Sequence, residues 1–314
     1  MPLLRNFALP VVASIALIAC SGEKPADKPS TPTPPATEEP ATPRTAPAIW
    51  KVADDDTTIY LFGTVHLLQN NVEWRSETFN EIWQSAGTVY FETDATSPEA
   101  ASRLQPLMQQ YGMNPAGTTF SSFFSEEDYA FIKEEAAKIN LPTAMLEPMR
   151  PWLAGLLISV QQLTAKGANP AAGVDSILSE EARNSDRVLR YFETNEEQIR
   201  FFADFSDEVS ANMVIENLRQ AKENPDLFKE LVSLWQSGDT EALGDLINET
   251  LLETGEHVAR VLLYDRNKRW VDELTTVLNE EEGTFFVAVG AGHLAGKNSV
   301  QDYFMEKGIT AERL

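Results

Sequence analysis

The chain has 314 residues, with 48 acidic against 25 basic side chains and a formal net charge of −23. That excess repels phosphate backbones and anionic headgroups, so it excludes nucleic-acid binding and broad contact with an anionic lipid surface. The single cysteine, Cys20, excludes an internal disulfide, and its place near the start leaves the rest of the chain without a thiolate nucleophile or a cysteine-ligated metal.

Residues 1–19 read as a leader and not as part of the fold. Arg5 supplies the positive charge, and Phe7 to Ala19 is an almost unbroken apolar run. The run is too short to span a bilayer and suits the apolar region of a signal peptide. It ends Leu17-Ile18-Ala19-Cys20, which resembles the bacterial lipobox. The resemblance implies cleavage before Cys20 and acylation of it, giving the chain a membrane partner through a lipid anchor. Several acyl chains on one residue make a stable anchor, whereas one is marginal. Ser21, in place of Asp, resembles lipoproteins sorted to the outer membrane. The implied location is the bacterial cell envelope, with the chain facing the periplasm. Residues 20–47 form the tether. The run from Glu23 to Pro47 is Pro-rich, lacks aromatic residues, and cannot bury enough surface to offset its ordering entropy. At ~3.1 Å per residue in an extended polyproline conformation, it is a semi-rigid spacer of ~80 Å.

The folded domain is expected over 48–314, long enough for one sizeable core. Ile49 to Ala53 and Thr58 to Val65 read as strands around the turn Asp54-Asp55-Asp56. Ser76 opens a helix with Phe79, Ile82 and Trp83 on one face, and Gly87 closes it. Thr88 to Phe91 is a strand that runs into Glu92-Thr93-Asp94. This strand–helix–strand order favours parallel pairing. Helical spacing then recurs near 98–110, 125–138, 150–163, 174–184, 195–203, 206–222, 225–236, 239–248 and 256–280, broken by a strand at Val188 to Phe192. The end of the chain reads as strand Thr284 to Val289, a Gly-rich turn, a helix near Ser299 to Lys307 and a strand near Ile309 to Arg313. The fold class is therefore α/β: a central mixed sheet built from both ends of the domain, with a large helical insertion.

Two of the three histidines stand in matching contexts. Gly63-Thr64-Val65-His66 and Gly290-Ala291-Gly292-His293 each follow an apolar, β-rich run, more than two hundred residues apart. A second echo, Tyr90-Phe91-Glu92-Thr93 and Tyr191-Phe192-Glu193-Thr194, also closes a strand each time, and a divergent duplication is one reading of it. Ligands in open α/β sheets bind outside the carboxyl ends of the strands. His66, Glu92, Glu193 and His293 all fall just past such ends. Two imidazoles with one or two carboxylates suit a divalent metal with open positions for water. Gly63 and Gly290, lacking Cβ, would let their turns approach a ligand closely.

Plainer readings stand beside these. Glu193 could cap the next helix, and Asp175, in Gly173-Val174-Asp175, reads as a helix N-terminal cap. His257, among Glu253, Glu256 and Arg260, reads as a solvated-face residue. Arg266 could hold a substrate carboxylate or stabilise an oxyanion, or form an ordinary salt bridge. Gly-x-Ser-x-Gly, His-Glu-x-x-His and phosphate-binding glycine loops do not occur.

Taken in order, Leu61 to His66, Phe91-Glu92, Arg150-Pro151-Trp152, Gly173-Val174-Asp175, Phe192 to Gln198, Asp265-Arg266-Asn267 and Val289 to Leu294 resemble the TraB/GumN family. Relatives include the animal Tiki proteins, membrane-tethered metalloproteases that use Mn²⁺ or Co²⁺, two Gly-x-x-His motifs and a glutamate. The wider superfamily includes erythromycin esterase-like enzymes and haem-handling lipoproteins of the ChaN kind, and the resemblance implies their α/β core. One departure is Arg150 where Lys is usual before Pro-Trp, which keeps the charge. By position, the resemblance implies metal ligation by His66, Glu92 and His293. Glu193 would be general base or further ligand, and Arg266 would stabilise negative charge. The expected function is a lipid-anchored, periplasmic hydrolase dependent on Mn, Co or Zn, acting on a peptide or another envelope component. The alternatives are a metal-free esterase-like hydrolase that uses the same groups as acid and base, and a non-catalytic lipoprotein that binds haem or an envelope polymer.

Overall fold

The computed structural model describes residues 46–314, apart from the side chains of 249–254. The leader, Cys20 and all but the last two residues of the expected tether lie outside the described residues. The sheet comprises β1 (Ile49–Ala53), β2 (Thr57–Thr64), β3 (Thr88–Phe91), β4 (Val188–Tyr191), β5 (Gly283–Gly290) and β6 (Glu312–Arg313), in the spatial order β4-β3-β5-β2-β1-β6. The pairs β4–β3, β3–β5 and β5–β2 are parallel, while β1 lies antiparallel to both β2 and β6. The sheet is thus mixed and drawn from both ends of the domain, as expected. The last strand is shorter than its sequence pattern predicts.

The helices are α1 (Glu77–Ser85), α2 (Pro98–Gly112), α3 (Glu126–Lys138), α4 (Pro151–Ala165), α5 (Val174–Arg183), α6 (Asn195–Ala203), α7 (Asp207–Glu223), α8 (Leu227–Ser237), α9 (Thr240–Thr254), α10 (Glu256–Ala259), α11 (Asp265–Glu280) and α12 (Val300–Glu306). Their starts follow from capping side chains. Ser76 accepts from the backbone N–H of Phe79 at 3.0 Å, and Thr194 forms a reciprocal capping box with Glu197. Thr194, and not Glu193, is therefore the cap of α6. One continuous helix over 256–280 was the expectation. Instead, residues Arg260–Tyr264 form a π-helical turn between α10 and α11. Apolar spacing reads the same through such a turn, so the pattern does not reveal it.

Alternation along β5 divides the core. Phe286 and Ala288 face a layer containing Phe79 and Trp83 of α1, Val174 and Leu178 of α5, and Trp235 of α8. Phe285, Val287 and Val289 face the opposite layer, with Trp270, Val271 and Leu274 of α11 and Phe304 of α12. This is the period of two expected for a strand buried on both faces. Each such large apolar side chain contributes about 1.5–3 kcal/mol through burial.

The helical part is divided by β4, as the strand read at Val188 to Phe192 leads one to expect. Helices α2–α4 leave between β3 and α5, and α6–α10 leave after β4. They rejoin where α2 packs on α6 and α4 on α7. Arg150 clamps the junction. Its Nη1 donates to the carbonyls of Tyr111 and Ala203, in the last turns of α2 and α6, at 3.2 and 3.0 Å. Its Nε donates to Asp207, the first residue of α7, at 2.9 Å. Trp152 adds an indole donor to the Tyr111 carbonyl at 3.0 Å. The Arg-Pro-Trp run therefore joins helix ends in the helical lobe.

Candidate active site

Parallel strands bring their carboxyl ends to one edge. Across the sheet, that edge carries Glu193 beyond β4, Glu92 after β3, His293 beyond β5 and His66 beyond β2. The strand-end repeat falls on neighbouring strands. β3 and β4 are neighbours in a register that sets Phe91 against Tyr191 and Tyr90 against Arg190, one residue out of step with the repeated letters. Pairing continues past the strands, where the N–H of Glu193 donates to the Glu92 carbonyl at 2.9 Å. The two glutamates are adjacent because the strands are.

Between them lies Arg266, at the second residue of α11 and 2% exposed. Its Nε and Nη2 donate to the two Glu193 oxygens, each at 2.8 Å. Nη2 also donates to Glu92 Oε2 at 2.6 Å. Nη1 donates to the Leu262 carbonyl, within the π turn, at 2.9 Å and to His293 Nε2 at 3.2 Å. All five N–H donors of the guanidinium are therefore taken. The cation also lies over the rings of Trp270 and Phe201, at 4.8 and 5.0 Å from their centroids. Glu92 has further partners: Gly290 donates its N–H to Oε1 at 2.7 Å, and Gln198 donates to Oε2 at 3.3 Å.

The two imidazoles are held differently. His293 is fully buried, and its Nδ1 lies 2.5 Å from Asn267 Oδ1. Asn267 donates its own amide N–H to the Asn298 carbonyl at 2.7 Å, which fixes Oδ1 toward the ring. Nδ1 of His293 is then the N–H donor, and the Nε2 lone pair accepts from Arg266 Nη1, with Nε2 3.7 Å from Glu92 Oε1. His66, whose side chain is 18% exposed, has Nδ1 at 2.6 Å from Asp175 Oδ2, and its Nε2 is buried without a hydrogen-bond partner. The Thr64 hydroxyl donates to the other Asp175 oxygen.

Charge follows from these contacts. Burial works against the Glu92 carboxylate, but Arg266, His293 and His66 override it and hold the pKa down at about 2. Burial raises the Glu193 carboxyl above its ordinary value despite Arg266. Burial and then Arg266 push the His293 imidazole down to about 3, so it is neutral. Burial alone would lower His66, but the Asp175 carboxylate outweighs it and carries the imidazole up to about 9.

The glycines act in ways the sequence did not suggest. A Cβ on Gly63 would stand 2.9 Å from the Ala291 Cα, so this glycine lets the two histidine turns meet each other. Gly290 contributes its N–H to Glu92. Asp175 is not a helix cap: Gly173 holds that position, and the Asp175 carboxylate goes to His66 and Thr64. Sequence reading assigned no role to Asp175 as a histidine partner, to Asn267 or to Gln198. Each lies in a run that carries the family resemblance, but contacts across 26 to 109 residues have no local pattern. His257 is exposed, with its ring edge-on to Phe205.

The donor chemistry of His66, His293 and Glu92 suits a divalent ion, and the unpartnered His66 Nε2 is the atom such an ion would take in exchange for its proton. Their present spacing is not a ready ligand cage. Among the described residues, no group of three or more His, Cys, Asp or Glu side chains is arranged to hold a metal. No described helix is long and apolar enough to cross a membrane.

Residues 48–313 match the TraB/PrgY/gumN family. The metalloprotease TIKI1 of Danio rerio is 26% identical over 313 residues, covering 84% of this chain and 62% of that protein. The metalloprotease TIKI1 of Homo sapiens is 26% identical over 314 residues, covering 84% and 61%. The metalloprotease TIKI2 of Danio rerio is 23% identical over 303 residues, covering 81% and 58%. The chain spans about three-fifths of the length of these relatives. No solved structure matches it significantly.

Proposed function

This chain belongs to the TraB/PrgY/gumN family, and from that premise we propose that it is a divalent-metal-dependent hydrolase that cuts peptide bonds. The observation that carries the reading is the buried, unpartnered Nε2 of His66, at the same strand edge as the His293 lone pair and the ionised Glu92. His66, His293 and Glu92 would hold the ion, with Mn²⁺, Co²⁺ and Zn²⁺ as the candidates. When bound, such an ion lowers the pKa of a water and polarises a carbonyl.

The chain's own residues supply the rest. Arg266 fixes Glu92 and Glu193 against each other, and its cation offsets negative charge at the site through the field, since its donors are taken. Glu193 is the general base of this reading. Burial raises its proton affinity, the direction a base working near neutral pH requires. To accept a proton it must release one bond to Arg266. We also propose that the chain is lipid-anchored through Cys20 and faces the periplasm, with a peptide or another envelope component as substrate. The lipobox and the Pro-rich tether support this.

The test is metal analysis of the full-length chain, with a mixed peptide library as the hydrolysis probe. The wild type should hold about one divalent ion per chain, as a single two-His, one-carboxylate site requires. His66→Ala and His293→Ala should lose both ion and activity. A second reading, metal-free acid–base hydrolysis, is favoured by the His66–Asp175 ion pair and the lack of a preformed three-ligand group among the described residues. Activity that survives exhaustive chelation but disappears in His66→Ala would overturn the metal reading in its favour.

A further inference from the structure

Asp175 is a carboxylate at this edge that the reaction above does not use. It stands at the second residue of α5 and caps no N–H of its own helix. The N-cap is Gly173, and no side chain caps the turn. The start of α5 is docked by other means. The Val174 N–H donates to the Val65 carbonyl at 2.9 Å, and Gly173 lies so close to His66 that a Cβ there would fall 2.1 Å from the His66 carbonyl oxygen. The Asp175 carboxylate therefore remains available, and it is divided between the Thr64 hydroxyl and His66 Nδ1.

We propose that Asp175 is a positioning residue: its carboxylate fixes the His66 ring and delivers Nε2 to a divalent cation. The inference rests on the metal-dependent reading above. A purely structural ion pair accounts for Nδ1 but leaves a buried Nε2 without a partner, which is unfavourable if nothing meets it. Metal-binding imidazoles usually have their second nitrogen held by a carboxylate or carbonyl, which sets the ring's orientation and raises its basicity. The protein contains a neutral counterpart in the same site, because Asn267 holds His293 Nδ1 with an amide oxygen. The buried imidazole thus has a neutral partner, and the more exposed one has an anion. The anionic partner makes His66 the stronger donor of the pair.

That contrast supplies the experiment. Asp175→Asn gives His66 the kind of partner that His293 already has, keeping an acceptor for Nδ1–H while removing the charge. The metal-free full-length chain is titrated with Mn²⁺, Co²⁺ and Zn²⁺ alone, as wild type, Asp175→Asn and Thr64→Val. Asp175→Asn is expected to weaken binding by about ten- to a hundredfold and to change the Co²⁺ absorption bands, a loss that exceeds the fall in the metal-free unfolding midpoint caused by losing the His66–Asp175 ion pair. Thr64→Val, which removes the second bond to the carboxylate, should weaken binding less and in the same direction. It also serves as the readout if Asp175→Asn does not fold. Wild-type affinity and Co²⁺ bands in both variants would overturn the inference alone. So would weaker binding matched in each variant by an equal drop in the metal-free midpoint, because that marks a structural role. A wild-type chain that takes up none of the three ions would instead overturn the metal reading on which the inference rests.

Discussion

Arg266 is the residue on which both buried glutamates depend. A buried ion cluster is weak evidence of net stability, because desolvation offsets most of the attraction. Removing one partner is a different matter, since it leaves uncompensated charge inside the protein. Arg266→Met would leave Glu92 and Glu193, 6% and 4% exposed, facing each other without the cation. The expected loss is about 3–5 kcal/mol in denaturant unfolding at neutral pH. Arg266→Lys should fall in between, since an ammonium keeps the charge but lacks the planar five-donor fork that reaches both carboxylates. A wild-type unfolding midpoint for Arg266→Met would show that the cluster does not hold this edge. The Asp-Arg-Asn run made Arg266 a candidate in the sequence, and the two Gly-x-x-His turns did the same for the histidines. The saturation of its donors was not legible, because Glu92 lies 174 residues away and Glu193 lies 73. The His66–Asp175 pair, 109 residues apart, was hidden for the same reason.

Among the elements, the helical lobe is stitched by polar side chains as much as by apolar faces. Glu147 shows how this bears on stability. Its carboxylate accepts from the N–H and hydroxyl of Ser121, at 3.1 and 2.8 Å, and from the Tyr129 hydroxyl at 2.5 Å. It thereby ties the short turn Phe120–Phe123 to α3. Partial burial would raise its pKa, but the Tyr129 and Ser121 hydrogen bonds override this and hold it below the ordinary 4.5. Because the folded value is the lower one, the stabilisation is fully present above pH 4.5 and is lost as pH falls through the folded value. Glu147→Gln should therefore lower the unfolding midpoint at neutral pH and reduce the loss of stability between neutral and acid conditions. Parallel stability–pH curves for the two proteins would rule this out. Strands and helix starts were legible where their causes are local, as in the apolar, β-rich run Phe285 to Val289 and in Ser76 before an amphipathic run, whereas the Thr194–Glu197 box went unread beside Glu193. The π turn at Arg260–Tyr264 was not, since Val258, Leu262 and Leu263 look apolar under either hydrogen-bonding pattern. The division of the helical part around β4 was legible in the Val188 to Phe192 strand, but the Arg150 clamp was not, because it joins helix ends distant in sequence.

For the whole molecule, the decisive quantity is charge. A chain with a formal net charge of −23 has no electrostatic reason to stay on an anionic membrane, and salt would screen repulsion, not attraction. If the chain is found on membranes, an apolar anchor must outweigh that repulsion. Cys20, after Leu17-Ile18-Ala19, is the residue proposed to carry it, since acyl chains contribute about 0.8 kcal/mol per buried CH₂ whatever the charge of the protein. Two outcomes follow together. Washing membranes with ~1 M salt, where the Debye length is only ~3 Å, should leave the wild type bound. Cys20→Ala should shift the chain to the soluble fraction or arrest it as an uncleaved precursor, and metabolic labelling with a fatty acid should be lost in the same variant. Release of the wild type by salt would contradict the anchor, because it would mean that charge held the chain there. A processed Cys20→Ala chain that stays on the membrane would contradict it as well. On the proposed anchor, a Pro-rich segment between Cys20 and the domain would let the acidic body stand away from the lipid surface that repels it.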